Sequence, residues 1–186
     1  MSINREFFFD HARSHLFGGK LKQGQVDGLT AILDYWDAHL AAKDDRWLAY
    51  ALGTAYPETD KSMGPIREYG RGRGHKYGKA TPPHGEAYYG RGLVQLTWDY
   101  NYKAMSAVVG ADLMKTPDLA LDLKYAVPIM FVGMEKGTFT GVGFGRYFNP
   151  TTANWAGARR IINGTDKAQL IAGHAKGFYA ALSHTV

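Results

Sequence analysis

The chain has 186 residues, 45% of them hydrophobic, so it can bury a core and fits one domain. It contains no cysteine, which excludes disulfides, thiol catalysis and cysteine-ligated zinc. The net charge of +5 favours a polyanionic partner, and nucleic acid, an anionic membrane surface and an acidic cell wall all meet that description.

The N-terminal region predicts two helices and no secretion signal. Residues 1–6 lack a basic start, and the apolar run Phe7-Phe8-Phe9 ends at Asp10, so export by a signal peptide is not expected. Apolar residues recur at helical spacing over 5–17 and again over 25–40. No stretch reaches the roughly 20 apolar residues of a membrane span.

A third helix is predicted from Arg46 to about Tyr56, with Asp44 or Asp45 as its N-cap and Pro57 as its end. Glu58 then lies at or just past a helix end. The next segment, 59–92, holds eight of the 23 glycines and three of the seven prolines, which predicts loops and short strands. A long irregular segment rich in tyrosine is typical of a functional insert.

Helical patterns resume over 97–109, 117–136, 155–162 and 166–182, with a glycine-rich connection over 137–150. Pro128 is expected to kink or split the helix that contains it. The sequence shows no internal repeat and no linker between two units. We therefore expect one mainly α domain over 1–186, with the irregular or β-containing insert at about 59–92.

Besides Glu86, two glutamates are close to this insert: Glu58 precedes it and Glu68 lies within it. On their own, Glu58 and Glu68 could be surface charges or a catalytic pair. Glycoside hydrolysis requires two carboxylates in different protonation states: one donates a proton to the leaving oxygen, and the other activates water or attacks the sugar.

The segment Tyr88-Tyr89-Gly90-Arg91-Gly92-Leu93-Val94-Gln95-Leu96-Thr97, followed by Trp98-Asp99-Tyr100-Asn101-Tyr102, resembles the signature of family 19 glycoside hydrolases. Many phage endolysins use the same chitinase-like fold. Pro57-Glu58-Thr59 and then Glu68 precede this segment in the family's order, and Arg159-Arg160-Ile161-Ile162-Asn163-Gly164 resembles a later family segment. The resemblance implies a single lysozyme-like or chitinase-like α+β catalytic domain.

The resemblance also implies the site residues. Glu58 is the expected general acid, Glu68 the general base, and Thr97 the group that positions the attacking water. Because the family inverts anomeric configuration, the two carboxyls should lie roughly 6.5–9.5 Å apart. Six residues are expected to bind substrate: Tyr89, Arg91, Gln95, Tyr100, Asn101 and Asn163.

Without the resemblance, two of these positions have simpler interpretations. Thr97 could be a helix N-cap, and Asn163-Gly164 could be a left-handed helix cap. The chain also departs from the family at one position, where Pro57 replaces the usual histidine and offers neither a polar side chain nor an N–H.

Other signals are weaker. The histidines show no metal-ligand spacing, and Gly141-Val142-Gly143-Phe144-Gly145 lacks the spacing of a dinucleotide loop, so no metal and no cofactor are expected. Residues 71–76 could contact nucleic acid through arginines, but nucleic acid is not the expected partner.

Peptidoglycan and chitin are the competing substrates, and a catalytically inactive glycan-binding protein is a third alternative. The short basic chain favours peptidoglycan and an endolysin role, with storage in the host cytoplasm until a holin opens the inner membrane. We expect a monomer. The basic C-terminal helix, with Lys167 and Lys176, could touch an anionic membrane transiently.

Overall fold

The computed structural model describes residues 3–182 and is mainly helical. The six α-helices are α1 Arg5–His15, α2 Gln23–His39, α3 Asp45–Glu58, α4 Asp99–Val109, α5 Leu123–Lys136 and α6 Ala168–Leu182. Strands β1 Ile66–Arg67 and β2 Arg91–Gly92 form one antiparallel pair, and β3 Phe148–Asn149 and β4 Thr152–Ala153 form another. Short 3₁₀ helices cover Lys76–Gly78, Pro117–Leu121, Phe144–Arg146 and Gly157–Ile161. The predicted class, mainly helical with a small β insert, is confirmed.

Helix α3 lies at the centre of the core. The carboxylate of Asp44 accepts a hydrogen bond from the Arg46 N–H and caps the helix, and every residue over 48–56 is buried. The helix crosses α6 at Gly53, where an added Cβ would lie 2.5 Å from the Cα of Ala175. This close crossing fixes α3 in position, and Glu58 is the last residue of that helix.

Pro57 was expected to end its helix, and Pro128 was expected to kink or split the helix that contains it. Helix α3 continues through Pro57 to Glu58, because the Thr59 N–H bonds to the Ala55 carbonyl and closes the last turn beyond the proline. Helix α5 also continues through Pro128. The segment predicted as one helix over 117–136 does divide, but at Asp122, whose carboxylate accepts from the Lys124 N–H and starts a new helix.

Two further expectations were too simple. The helix predicted over 155–162 is only the 3₁₀ helix Gly157–Ile161, and the connection predicted over 137–150 contributes strand β3 to a short hairpin.

The apolar side chains form two clusters. The larger contains the buried faces of α1, α2, α3, α5 and α6. The smaller joins α4 to the insert and includes Tyr88, Leu96 and Tyr102. Phe139 packs against both clusters. Within residues 3–182, no helix combines the length and the apolar character needed to cross a membrane. The assignment of 1–186 to one catalytic domain stays a prediction.

Candidate active site

A cleft of 410 Å³ opens beside the C-terminal end of α3. Six of the residues predicted to act on or bind substrate line it: Glu58, Gln95, Thr97, Tyr100, Asn101 and Asn163. Tyr77, Val94, Trp98, Phe139 and Ile162 complete its lining. A concave site with a few convergent polar groups on an aromatic and aliphatic surface is typical of a ligand-binding cleft.

The Glu58 carboxylate is held in place from one side. Its Oε1 accepts a hydrogen bond from Nη1 of Arg159 at 3.1 Å, and that arginine side chain is only 6% exposed. Nε of Arg159 donates to the Asp166 carbonyl at 3.1 Å, which fixes the guanidinium. Oε2 of Glu58 accepts no hydrogen bond from the part of the chain that the structure describes, so this oxygen can face a ligand.

Arg159 was not predicted as a site residue. The signal was present in the sequence, because Arg159 opens the segment that also contains Asn163. Only the fold shows that a residue 101 positions away in the chain reaches Glu58.

Glu68 lies just after β1 and is bound by the insert itself. Its N–H donates to the Gly90 carbonyl at 2.7 Å, and its Oε2 accepts from the Gly90 N–H at 3.1 Å. Its Oε1 accepts from the Tyr77 hydroxyl at 3.2 Å. Burial and the neighbouring Glu68 charge raise the pKa of Tyr77, so the phenol stays a proton donor.

Tyr77 lies between the cleft that contains Glu58 and the side chain of Glu68. It lines the same cleft as Glu58 and donates a hydrogen bond to Glu68. Glu68 itself lines a neighbouring recess of 440 Å³ together with Tyr69 and Arg71.

Gly90 is required where Gln95 and Glu68 meet. A Cβ at this position would lie 2.6 Å from Oε1 of Gln95 and 3.3 Å from Cβ of Glu68. Nε2 of Gln95 makes a long contact, 3.5 Å, with the Ile66 carbonyl on β1. The absence of a side chain at Gly90 thus lets the Gln95 and Glu68 side chains pack across the backbone.

The polar strip before α4 has an unusual backbone. Gln95 and Trp98 both have positive φ, at 55° and 74°, although neither is glycine. The Thr97 hydroxyl donates to the Gln95 carbonyl at 2.7 Å, and Nδ2 of Asn101 donates to the Thr97 carbonyl at 2.9 Å. Trp98, and not Thr97, is the N-cap residue of α4, so the capping interpretation of Thr97 is wrong. The Thr97 hydroxyl oxygen can still accept a hydrogen bond from a ligand in the cleft.

Three aromatic side chains form a wall of the cleft. The ring centroids of Tyr77 and Trp98 are 5.2 Å apart in an edge-on arrangement, and those of Trp98 and Tyr100 are 6.1 Å apart and stacked. Trp98 is 37% exposed and Tyr100 60% exposed, which is unusual for large aromatics. Trp98 and Tyr77 were not among the predicted binding residues, although both lie in the aromatic insert and signature.

The structure does not bring Arg91 into the cleft. Its side chain is 3% exposed, and its guanidinium donates to Oδ1 of Asp118, to the Ala87 and Tyr89 carbonyls and to the Tyr102 hydroxyl. A buried guanidinium with this many internal acceptors has a structural role. The predicted sugar-binding role of Arg91 therefore does not follow from the geometry.

Tyr89, like Arg91, does not line the cleft. The Arg91 guanidinium lies 3.7 Å from the Tyr89 ring centroid, and both residues line a separate recess with Asp118. Partial burial opposes ionisation of Asp118, but hydrogen bonds from Arg67 and Arg91 outweigh it and lower the pKa of this carboxyl.

Asn163 lies at the exposed edge of the cleft. Its Oδ1 accepts from the Gly164 N–H at 2.8 Å, and its own N–H donates to the Arg159 carbonyl at 3.0 Å. Neither Asn163 nor Gly164 has a positive φ, so the left-handed cap interpretation is wrong. Within the described residues, no group of three His, Asp or Glu side chains could hold a metal ion.

Residues 49–159, more than half of the chain, match the glycoside hydrolase family 19 model described as chitinase class I. The chain belongs to glycoside hydrolase family 19. This match contains Glu58, Glu68, the 88–102 signature and Arg159.

Curated relatives of family 19 match over short stretches. Endochitinase CH25 of Brassica napus is 51% identical over 35 residues, which is 19% of this chain and 11% of the relative. The chain spans about a tenth of the length of such relatives. An inactive chitinase-like protein of Hevea brasiliensis is equally 51% identical over 35 residues, 19% of this chain and 11% of that protein. Local identity of this kind thus occurs both in a protein named an endochitinase and in one named an inactive chitinase-like protein.

The family 19 fold extends over the whole described chain. Chitinase C of Streptomyces griseus superposes with a TM-score of 0.64 and 23% identity, covering 99% of this chain and 78% of the other. This similarity shows the chitinase fold.

Proposed function

We propose that this protein hydrolyses β-1,4 glycosidic bonds of an N-acetylated glycan, with Glu58 as general acid and Glu68 as general base. One observation carries the proposal: Tyr77 lines the cleft that exposes Glu58 and also donates to Glu68. Glu68 lines the adjoining recess, so Tyr77 connects two neighbouring cavities in which the carboxylates have different surroundings, and acid and base catalysis requires such a difference.

The proposed reaction inverts the anomeric carbon. Glu58 donates a proton to the leaving glycosidic oxygen while Glu68 accepts a proton from the attacking water. Thr97, whose hydroxyl already donates to the Gln95 carbonyl, accepts a hydrogen bond from that water. Arg159 and the Gly90 N–H keep the two carboxylates oriented between turnovers.

The sugar is proposed to bind on the aromatic wall, and amide side chains are proposed to form hydrogen bonds with its polar groups. Gln95, Asn101 and Asn163 offer donors and acceptors suited to hydroxyl and acetamido groups. Trp98 and Tyr100 provide exposed ring faces beside them.

We propose peptidoglycan as the substrate, cut between N-acetylmuramic acid and N-acetylglucosamine. The net charge of +5 supports it, because peptidoglycan carries carboxylates that chitin lacks. Chitin is the alternative, and the names of the relatives favour it. A glycan-binding protein without activity is a third candidate, since Pro57 replaces the family's histidine.

We also propose an endolysin role, in which the protein is stored in the host cytoplasm and reaches the wall through holin lesions. Expression in Gram-negative cells tests this role. Turbidity should fall only when a holin or chloroform permeabilises the inner membrane. Lysis without permeabilisation, or none with it, would rule out this role.

The substrate test is mass spectrometry of new reducing ends after digestion of purified peptidoglycan, with chitin oligomers in parallel. Muramic acid ends would support the proposal, and chitin cleavage alone would change the substrate. Glu58→Gln and Glu68→Gln should each lower kcat by about 100-fold or more while both variants stay folded. Glu58→Gln also removes the ion pair with Arg159, so its melting temperature should fall. Glu86→Gln is the matched control, because Glu86 lies in the same insert but outside the cleft. Near-normal kcat in either test variant would contradict its assigned role.

A further inference from the structure

The insert carries a strongly basic segment that the proposed chemistry does not use. This segment, named here the cationic loop, covers residues 71–79 and contains Arg71, Arg73, Lys76 and Lys79. No acidic residue occurs between Glu68 and Glu86. All four basic side chains are exposed.

The cationic loop is held in one shape by two glycines. A Cβ at Gly72 would lie 2.5 Å from the Gly78 Cα, and a Cβ at Gly78 would lie 2.0 Å from the Gly72 carbonyl oxygen. The His75 N–H donates to the Gly72 carbonyl at 2.9 Å, and the His75 ring stacks on Tyr77 at 4.9 Å. The charges are therefore presented by an ordered turn, which reduces the entropy cost of binding a ligand.

The cationic loop borders the proposed active site on two sides. Tyr77, within the loop, lines the main cleft, and Arg71 lines the recess that contains Glu68. Lys76 and Lys79 line a smaller recess that also contains Asp99. None of these four basic side chains forms an ion pair with a residue over 3–182, and Arg71 and Arg73 are the two that carry a guanidinium.

We propose that the cationic loop is a subsite for carboxylate-bearing substituents of the glycan and makes the enzyme select acidic over neutral strands. The inference rests on the proposed function and assigns the selectivity to Arg71 and Arg73. A guanidinium matches a carboxylate in geometry and forms two parallel hydrogen bonds with it. A neutral N-acetylglucosamine polymer offers no group for either arginine to pair with.

The test compares one glycan in two charge states. Soluble peptidoglycan fragments are prepared with native carboxylates and, in parallel, with the carboxylates amidated, so that the sugars and links stay the same. The readout is the ratio of kcat/KM for native over amidated fragments. In the wild type this ratio should exceed one and fall toward one as salt rises, because exposed charge contacts are screened.

Arg71→Ala/Arg73→Ala should lower the ratio by about five- to twentyfold, the effect of two exposed charge pairs plus weaker steering. The control Arg13→Ala/Lys20→Ala removes two exposed charges near α1, outside the cleft lining, and should leave the ratio at the wild-type value. Melting temperatures verify that both variants fold.

The outcomes separate this inference from the proposed function. No cleavage of either fragment by the wild type, with chitin also intact, would overturn the proposed function. Cleavage with the same ratio in the wild type and Arg71→Ala/Arg73→Ala would overturn the subsite alone. Tighter binding of single-stranded DNA than of native fragments, lost in the same variant, would reassign the loop to nucleic acid.

Discussion

Replacing Arg91 by alanine separates a structural role from a sugar-binding role. The change removes the donor to Asp118, but Arg67 still pairs with that carboxylate at 2.7 Å. The Tyr89 carbonyl also keeps a donor, the Tyr102 hydroxyl at 2.7 Å. The Ala87 carbonyl loses its guanidinium partner, and the Tyr89 ring loses the cation against its face. The lost hydrogen bonds and the space left by the buried side chain should together lower the free energy of unfolding by about 3–5 kcal/mol.

The assay is chemical denaturation in parallel with steady-state kinetics. A loss of this size lowers the melting temperature by roughly 6–20 °C in a chain of this length. Arg67→Ala is the control, because it pairs with the same carboxylate from an exposed position and should cost less than about 1 kcal/mol. An Arg91→Ala protein of wild-type stability with a raised KM would refute the structural role and restore the binding role.

The other predictions concern packing, pH and the orientation of the base. Gly53→Ala should lower the free energy of unfolding by about 1–3 kcal/mol, because the added methyl meets the α6 backbone at 2.5 Å. Gly173→Ala, where α6 has open space, should instead raise it by about 0.5–1 kcal/mol, and denaturation midpoints compare the two. Burial and then Lys61 lower the pKa of His174, so the unfolded chain takes up the proton first and the melting temperature should fall as pH drops below about 6.5. His174→Gln should flatten that slope, and an unchanged slope would contradict the assignment. Tyr77→Phe removes the hydroxyl that donates a hydrogen bond to Glu68, the proposed base. This variant should lower kcat about three- to tenfold with little change in the free energy of unfolding.

The helices were predictable because their apolar spacing is local information. Helix α2 was expected over 25–40 and is Gln23–His39, and of the two candidates for the α3 N-cap, Asp44 and Asp45, the structure has Asp44. The predicted end at Pro57 was one residue too early, and the split allowed at Pro128 does not occur, because tertiary packing around α3 and α5 outweighs one lost hydrogen bond.

The site was predictable only where a sequence motif and the cleft coincide. Gln95, Thr97 and Asn101 lie in one continuous signature and reach one cleft. Arg91 lies in the same signature, but its guanidinium is buried against Asp118 and the Tyr102 hydroxyl. A two-residue strand gives no alternation from which this orientation could have been predicted. Arg159 required the three-dimensional fold, since its partner is far away in the sequence.

The left-handed backbone at Gln95 and Trp98 has a consequence for how this protein would evolve. Each such residue costs on the order of 1–3 kcal/mol, and glycine would relieve much of that cost. Selection for thermal tolerance alone should therefore recover glycine at these two positions. Selection for catalysis should reject the same changes, since they would remove an amide and an indole from the cleft. In a library varied only at Gln95 and Trp98, the variants with higher melting temperatures should thus have lower turnover.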